Sequence, residues 1–175
     1  MRQAGFTLME AMIVVSIIAI ILAIATPSYQ AMIRDSRLVA ASEELLTSLM
    51  LARTEAIKRN RAVVICNSAN PTASNPACIT ANPNWATGWI IFATNGSGTN
   101  YDRANDTLIR VGNQVEGVDR LGVNNNITRI RFHSMINASA QTVDFEFCIT
   151  GRKKRVVSVD KTGRVSRSQQ DTCTG

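Results

Sequence analysis

A long apolar run near the N-terminus is the feature that most limits what this chain can fold into. Apart from Thr7 and Glu10 near its start and Ser16 within it, the segment from Phe6 to Ala25 carries only apolar side chains. These roughly 20 residues would form a helix long enough to span a hydrocarbon core of about 30 Å. One basic residue, Arg2, precedes the run, and such a leader orients toward the cytoplasm.

Two common roles for such a run do not fit its surroundings. A secretory signal peptide would be followed by a small-residue cleavage site, whereas this run continues into Tyr29, Met32 and Arg34. An ordinary transmembrane anchor would not carry the carboxylate of Glu10, because a charge buried in lipid costs several kcal/mol. Glu10 therefore indicates a function for this segment.

The start of the run carries a highly specific motif. A short basic leader is followed by the sequence Gly5-Phe6-Thr7-Leu8-Met9-Glu10. It resembles the type III signal of type IV prepilins and of type II secretion pseudopilins. The resemblance implies that a prepilin peptidase cleaves after Gly5 and N-methylates Phe6, so that residues 1–5 form a leader peptide.

The same resemblance gives Glu10 a role in a filament. In a filament the helices are bundled away from water, and the new amine of Phe6 is a cation in the same apolar setting. A carboxylate from a neighbouring subunit can pair with this amine, since an unpaired charge there would be strongly disfavoured. We expect Glu10 to set the axial register between subunits; the alternative is that it lies at the lipid headgroup boundary.

After Pro27 the apolar residues recur at mostly three- and four-residue steps with charged residues between them. The recurring set is Ile33, Leu38, Ala41, Leu45, Leu49 and Ala52. This spacing predicts one amphipathic helix to about Arg59, with a kink or local loosening at Pro27. We assign residues 6–26 to a transmembrane and filament-core helix, and residues 27–60 to an amphipathic helix that packs on the head.

Residues 61–175 form a head in which short β-branched or alternating runs are separated by segments rich in Asn, Pro and Gly. Strands are predicted at 62–66, 88–92, 107–111, 127–132, 143–148, 155–159 and 163–166, with a loop at 67–84. One long helix followed by an antiparallel sheet is an α+β architecture, and the resemblance makes it type IV pilin-like. Trp85 and Trp89 are expected to pack in the core.

The four cysteines suit disulfides in an exported domain. None forms a CxxC pair, and with a single histidine, His133, a zinc site is not expected. Four cysteines allow three connectivities. We expect Cys66–Cys78, which closes a short loop, and Cys148–Cys173, which ties down the C-terminal segment.

The head resembles one branch of the same family, the H-type (GspH-like) pseudopilins of type II secretion and the FimU and FimT minor pilins. The resemblance spans most of the head. It is carried by Trp85-Ala86-Thr87-Gly88-Trp89-Ile90-Ile91-Phe92, by Asp106-Thr107-Leu108-Ile109-Arg110, and by Thr162-Gly163-Arg164-Val165 after the Cys148 strand.

Most of the net charge of +6 lies after Cys148. Clustered basic residues are candidate contacts for DNA phosphates. FimT-type minor pilins are similar in placing arginines near the C-terminus for DNA capture, although this chain matches their Gly-Arg-x-Arg motif imperfectly. A solvated basic edge and a contact to an acidic neighbouring subunit are the alternatives. The basic residues are Arg152, Lys153, Lys154, Arg155, Lys161, Arg164 and Arg167.

The sequence contains no catalytic constellation and no phosphate-binding loop, so we expect a protein that is not an enzyme and that holds no cofactor or metal. The resemblance implies a minor pilin at or near the tip of a type IV pilus that helps to initiate assembly. A DNA-binding minor pilin for natural transformation and an H-type minor pseudopilin of a type II secretion system are the alternatives.

The resemblance also implies the partners and the location. The partners are other major and minor pilins, the prepilin peptidase, the inner-membrane pilus assembly platform and the lipid bilayer, with double-stranded DNA under the first alternative. The chain would span the inner membrane of a Gram-negative-type bacterium once, with its head in the periplasm. From there it would enter an extracellular or periplasmic filament.

Overall fold

The computed structural model describes residues 7–96, 100–133 and 142–174. Its first element, α1, is a helix of 52 residues, Leu8–Arg59. Thr7 caps its start, because the Thr7 hydroxyl oxygen accepts a hydrogen bond from the backbone N–H of Glu10 at 3.3 Å. Asn60 ends it in the left-handed conformation, at φ 49°. The single long helix predicted from the sequence is confirmed, and it is continuous across Pro27.

The chain divides into two compact units, Met1–Ser36 and Arg37–Gly175. The division falls inside α1. The second unit, here called the head, therefore contains the helical residues Arg37–Arg59 together with all the strands.

The head contains two antiparallel sheets of four strands each. The first sheet has the order β3-β2-β1-β5 and the second has the order β4-β6-β7-β8. Short 3₁₀ turns lie at Trp85–Thr87 and Asn124–Asn126. The strands are β1 (Ala62–Asn67), β2 (Trp89–Thr94), β3 (Thr107–Gly112), β4 (Arg120–Val123), β5 (Arg129–Phe132), β6 (Val143–Cys148), β7 (Lys153–Val159) and β8 (Val165–Thr172).

The predicted α+β class is confirmed, and three details differ. The strands separate into two sheets, not one. The strand β4, Arg120–Val123, was not predicted, because a four-residue run with a glycine carries almost no periodic signal. The last strand, β8, continues to Thr172, well beyond the predicted end at residue 166, although its sequence after Val165 is entirely polar.

The main core lies between α1 and the two sheets. Every second residue of a pleated strand faces the same side of its sheet, and the strand residues that face the helix form one part of this core. The predicted helical stripe supplies the other part, and Leu45 and Leu49 are fully buried. Large members of this core are Leu38, Leu45, Leu49, Val63, Ile65, Trp85, Trp89, Ile91, Phe132, Phe145, Phe147, Val157 and Val159.

The opposite face of the first sheet has a smaller apolar cluster of its own. Val64, Cys66, Ile90 and Phe92 are buried there, with Tyr101 packed against Phe92 at a ring-centroid distance of 5.4 Å. Apolar residues are therefore needed on both faces of β1 and β2. This explains why both strands are apolar runs and do not alternate.

The side chain of Asn67 holds the long loop that follows β1. Its amide nitrogen donates to the carbonyl oxygens of Asn84 and Gly88 at 2.7 and 3.0 Å, and its amide oxygen accepts from the N–H of Asn84 at 2.8 Å. Asn67 is fully buried, and these bonds satisfy its polar atoms, as burial requires.

Both tryptophans are core residues, as predicted. Trp85 donates its indole N–H to the carbonyl of Ile127 at 2.7 Å and stacks edge-on against Phe145. Trp89 is fully buried and lies directly over Gly112. A Cβ at Gly112 would lie 2.2 Å from the Trp89 ring, so only glycine fits at that position.

Candidate assembly surface

The first half of α1 exposes a large apolar surface. Met12, Ile17 and Ile24 are 64%, 52% and 72% exposed. By length and composition alone α1 is able to cross a membrane, since its most apolar window of 18 residues has a mean hydropathy of 2.8 and none of it is buried. Such a surface needs a partner outside the monomer, either lipid or other helices.

Glu10 is the only charged residue of α1 before Arg34. It lies in the first turn, where the partial positive charge of the helix N-terminus favours an anion. No ion pair joins it to another residue in the described part of the chain. Its carboxylate is therefore placed at the start of an apolar helix and is available to a cation from outside the monomer.

Two hydroxyl side chains within this apolar half are satisfied internally. Ser16 donates to the carbonyl of Met12 at 2.8 Å, and Thr26 donates to the carbonyl of Leu22 at 2.6 Å. These i to i−4 bonds remove the need for water. Glu10 is thus the one side chain between Leu8 and Ile33 whose charge demands an external partner.

Gly5 and Phe6, the predicted cleavage and methylation residues, lie outside the described residues. Cleavage after Gly5 therefore stays a prediction from the sequence. The described residues begin at Thr7, which caps the helix and is the second residue after the predicted cleavage point.

Two disulfides join the cysteines of the head. Cys66, on β1, is bonded to Cys78 in the loop after it, with Cα atoms 5.6 Å apart. Cys148, at the end of β6, is bonded to Cys173, just after β8. The first bond holds the 68–84 loop on the outer apolar cluster, and the second fixes the C-terminal end of β8.

The basic C-terminal residues are spread along the β7–β8 hairpin. Arg152 and Lys153 lie at the start of β7, and Lys161 and Arg164 lie in the turn after its end. A strand of seven residues separates these two groups by roughly 20 Å. The sequence predicted one cluster of seven basic residues, whereas the hairpin spreads them along its length, since Lys154 and Arg155 lie on β7 and Arg167 lies on β8 between these two groups.

Two of the remaining basic residues are paired with acids on other elements of the head. Lys154 lies 3.4 Å from the carboxylate of Glu146 on the neighbouring strand. Arg167, on β8, forms an ion pair with Glu43 of α1. Glu43 lies 124 positions before Arg167 in the numbering, so only the packing of α1 against the second sheet reveals this contact.

The turn between β7 and β8 is built on Asp160. Its carboxylate accepts hydrogen bonds from the hydroxyl of Thr162 at 2.6 Å and from the N–H of Arg164 at 2.9 Å. These bonds lower the pKa of Asp160, the Thr162 hydroxyl having the largest effect. Gly163 supplies the left-handed conformation, with φ 76°.

Elsewhere on the described surface, the residues to consider are metal-ligand types, His133 and the lining of one cavity. Within residues 7–96, 100–133 and 142–174, no group of three or more His, Cys, Asp or Glu residues is placed to hold a metal ion. His133 is exposed. An open cavity of about 370 Å³ lies beside Thr94 and Asp106, but the carboxylates of Asp102 and Asp106 are engaged in local hydrogen bonds.

Comparison with known families decides where this chain belongs. The family model for the Type II transport protein GspH matches residues 41–163. The chain belongs to the GspH family. The model for the prokaryotic N-terminal methylation motif matches residues 1–26 of this GspH-family chain. None of the curated proteins compared with it matches.

Solved structures share the fold of this GspH-family chain. Two crystal forms of the type IV minor pilin FimU of Pseudomonas aeruginosa strain PAO1 match it with TM-scores of 0.58 and 0.55, each at 20% identity. The matches cover 80% and 77% of this chain, and 97% and 98% of those chains. The fold is thus that of a pilin, with a long helix packed on antiparallel sheets.

Family and fold together place this GspH-family chain among the minor pilins and pseudopilins, which are structural subunits. The apolar helix and the methylation motif indicate anchoring in a membrane and incorporation into a filament with other pilins. The exposed half of α1 with Glu10 is the candidate surface for this incorporation.

Proposed function

We propose that this chain is a minor subunit incorporated at or near the tip of a type IV pilus, where it helps to initiate assembly. The observation that carries the proposal is the exposed apolar half of α1 with one charge, Glu10, at its start. In a bundle of such helices the apolar side chains are buried against each other. Glu10 is then the only group in this half that fixes one axial position over another.

The register follows from charge pairing. Cleavage after Gly5 would create an amine on Phe6, four residues before Glu10. Inside an apolar bundle, a shift of one subunit would leave both charges unpaired, and breaking a buried pair costs about 3–5 kcal/mol. The pairing between subunits therefore selects one register.

The location proposed is the inner membrane, with the head in the periplasm before incorporation. The leader with Arg2 favours a cytoplasmic N-terminus. Both disulfides lie in the head, and such bonds persist in oxidising compartments such as the periplasm. The prepilin peptidase and the inner-membrane assembly platform are the partners that this route requires.

A place near the tip and a role in initiation are supported by the nature of a minor subunit. The fold match is to a protein described as a type IV minor pilin. A subunit present in few copies has its largest effect at the start of assembly. The first subunits must associate before there is a filament for them to join. DNA binding is not part of the proposal, since two of the seven basic residues, Lys154 and Arg167, are paired with the carboxylates of Glu146 and Glu43.

The test is Glu10→Ala in the full chain, expressed in its own host. We expect normal processing, shown by the mass of the N-terminal peptide, and normal amounts in the membrane. Incorporation into sheared filaments should fall at least about tenfold, because the pairing energy is lost. Ser16→Ala, which changes the same helix without touching charge, is the control. Normal piliation and normal incorporation of Glu10→Ala would contradict the proposal.

A second candidate is a minor pseudopilin of a type II secretion system, favoured by the match of residues 41–163 to the Type II transport protein GspH. Both machines would use the same helix, so Glu10→Ala does not separate them. Deleting the chain does. Loss of surface pili with normal protein secretion supports the pilus, and loss of secretion with normal pili supports the secretion system.

A further inference from the structure

The strand β8 is an open edge of the second sheet. It is the longest strand of the head, with eight residues, Val165–Thr172. The order β4-β6-β7-β8 places it at the end of its sheet, and no strand within the described residues pairs with its outer side. Val165 is partly buried, and the residues from Ser166 to Thr172 are all exposed.

The ladder defines which backbone groups of β8 point outward. The N–H of Asp160 donates to the carbonyl of Arg164 at 3.0 Å, and the register pairs Ser158 with Ser166. Hydrogen-bonded and non-bonded pairs alternate in an antiparallel ladder, so Ser166 and Ser168 bond to β7. The N–H and C=O groups of Val165, Arg167 and Gln169 therefore face away from the sheet, about 7 Å apart.

This edge is held in place at three points. The Asp160 turn fixes its start, the Arg167–Glu43 ion pair ties its middle to α1, and the Cys148–Cys173 disulfide fixes its end. An edge ordered in advance loses little conformational entropy when a partner strand binds.

Most exposed edges in proteins are shortened or interrupted so that they do not recruit strands. The other three edge strands are shorter, since β4 and β5 have four residues each and β3 has six. β8 contains neither proline nor lysine, and its ladder is regular from Val165 to Gln169, with the register shift only at Lys153 to Arg155. It is therefore suited to accept a strand.

Charge beside the edge indicates the chemistry of the partner. Lys161 and Arg164 are exposed in the turn that leads into β8, and the side chain of Arg167 is 62% exposed. The carboxylate of Asp160 is directed into its own turn. An incoming segment with acidic side chains would meet the positive charge of Lys161 and Arg164 at the start of the strand.

We propose that the free edge of β8 binds an extended, acidic segment of a neighbouring filament subunit, which adds a fifth strand to the second sheet. This inference rests on the proposed function. Antiparallel pairing of β8 with β8 of a second copy would be isologous and would close on a dimer, whereas a filament contact is heterologous. The segment therefore belongs to a different surface of the neighbour.

The test removes one outward N–H. Gln169→Pro deletes a donor that faces away from β7, so the sheet is retained, since proline is tolerated on the free side of an edge strand. Incorporation of the full chain into sheared filaments should fall about tenfold, while membrane amount and disulfide formation stay at the wild-type level. Gln169→Ala, which keeps the N–H, should be incorporated normally. Equal incorporation of Gln169→Pro and wild type overturns the inference.

A measurement without substitution gives a second test if Gln169→Pro folds poorly. In the full chain purified in detergent, the amides of Arg167 and Gln169 should exchange with deuterium rapidly and those of Ser166 and Ser168 slowly. In filaments all four should exchange slowly. Rapid exchange of Arg167 and Gln169 in filaments overturns strand addition.

The role of charge is tested separately. Arg164→Glu should lower incorporation about fivefold relative to Arg164→Lys, because repulsion replaces attraction at a solvent-exposed site. Equal incorporation of the two variants overturns the inference that the partner segment is acidic.

Two further outcomes separate this inference from its alternatives. If the purified chain forms a dimer and Gln169→Pro dissociates that dimer, the partner of β8 is a second copy of the chain and the inference is overturned. Wild-type chain absent from filaments refutes the proposed function itself, whereas wild type and Gln169→Pro present equally refute only the edge.

Discussion

The two halves of α1 differ in where their apolar side chains find a partner. In the second half, Arg37–Arg59, the apolar residues form one stripe, and Leu45 and Leu49 are fully buried in the head. In the first half, residues 8–26, apolar residues occupy every side of the helix and most are exposed. A stripe is satisfied within the chain, whereas a helix that is apolar all round needs a membrane or a bundle.

The same difference separates the roles of the charged residues. Glu10, in the first half, has no ion-pair partner in the described part of the chain. Glu43 and Glu55, in the second half, pair with Arg167 and Arg59. Stability of the monomer is therefore a property of the head, whereas the first half of α1 leaves its apolar surface and the charge of Glu10 to partners outside the monomer.

The largest expected effect is on the core. Leu45→Ala should lower the free energy of unfolding of the head by about 2–5 kcal/mol, since it removes a fully buried side chain. Fluorescence of Trp85 and Trp89 reports this unfolding alone, because both tryptophans lie in the head. Leu22→Ala, the same change at a residue that is 60% exposed, should alter it by less than about 0.5 kcal/mol. A similar loss from Leu22→Ala would break the comparison.

Removing a disulfide should have the next largest effect. Replacing Cys148 and Cys173 together by serine should lower the free energy of unfolding by about 2–4 kcal/mol, because the bond limits the unfolded chain. Replacing Cys66 and Cys78 should cost about 0.6 kcal/mol less, since their loop spans 12 residues against 25. Chemical denaturation of the three proteins checks both values. Membrane insertion should not change, and its loss in either variant would contradict the separation of the two regions.

The smallest effect is on pH dependence. The Thr162 hydroxyl and the Arg164 amide hold the pKa of Asp160 below its ordinary value. A lowered pKa contributes stability above the unfolded-state value of about 3.9, and this contribution is lost as the pH falls through the folded-state value. Between pH 7 and pH 2 the unfolding midpoint of wild type should therefore fall slightly further than that of Asp160→Asn. An identical fall of the unfolding midpoint in both proteins would show that Asp160 does not contribute to the pH dependence of stability.

The sequence predicted the local elements well, because their signals are local. The stripe of Leu38, Leu45 and Leu49 repeats at the period of a helix and predicted a buried face. Most strands were found from runs of β-branched residues. The sequence did not predict β4, Arg120–Val123, or the polar second half of β8. These segments are strands only because β4 pairs with β6 and β8 pairs with β7. Their sequences carry no period-2 apolar pattern of their own.

By itself the sequence determined the long helix, its division into an apolar and an amphipathic half, and the isolated charge of Glu10, since each depends on residues close in the chain. The tertiary structure alone decided the division into two sheets, the Arg167–Glu43 pair, the separation of the basic residues and the open edge of β8. Each of these depends on which distant segments pair and pack. Many registers and sheet orders are compatible with the same local pattern, and only burial of the shared core selects one of them.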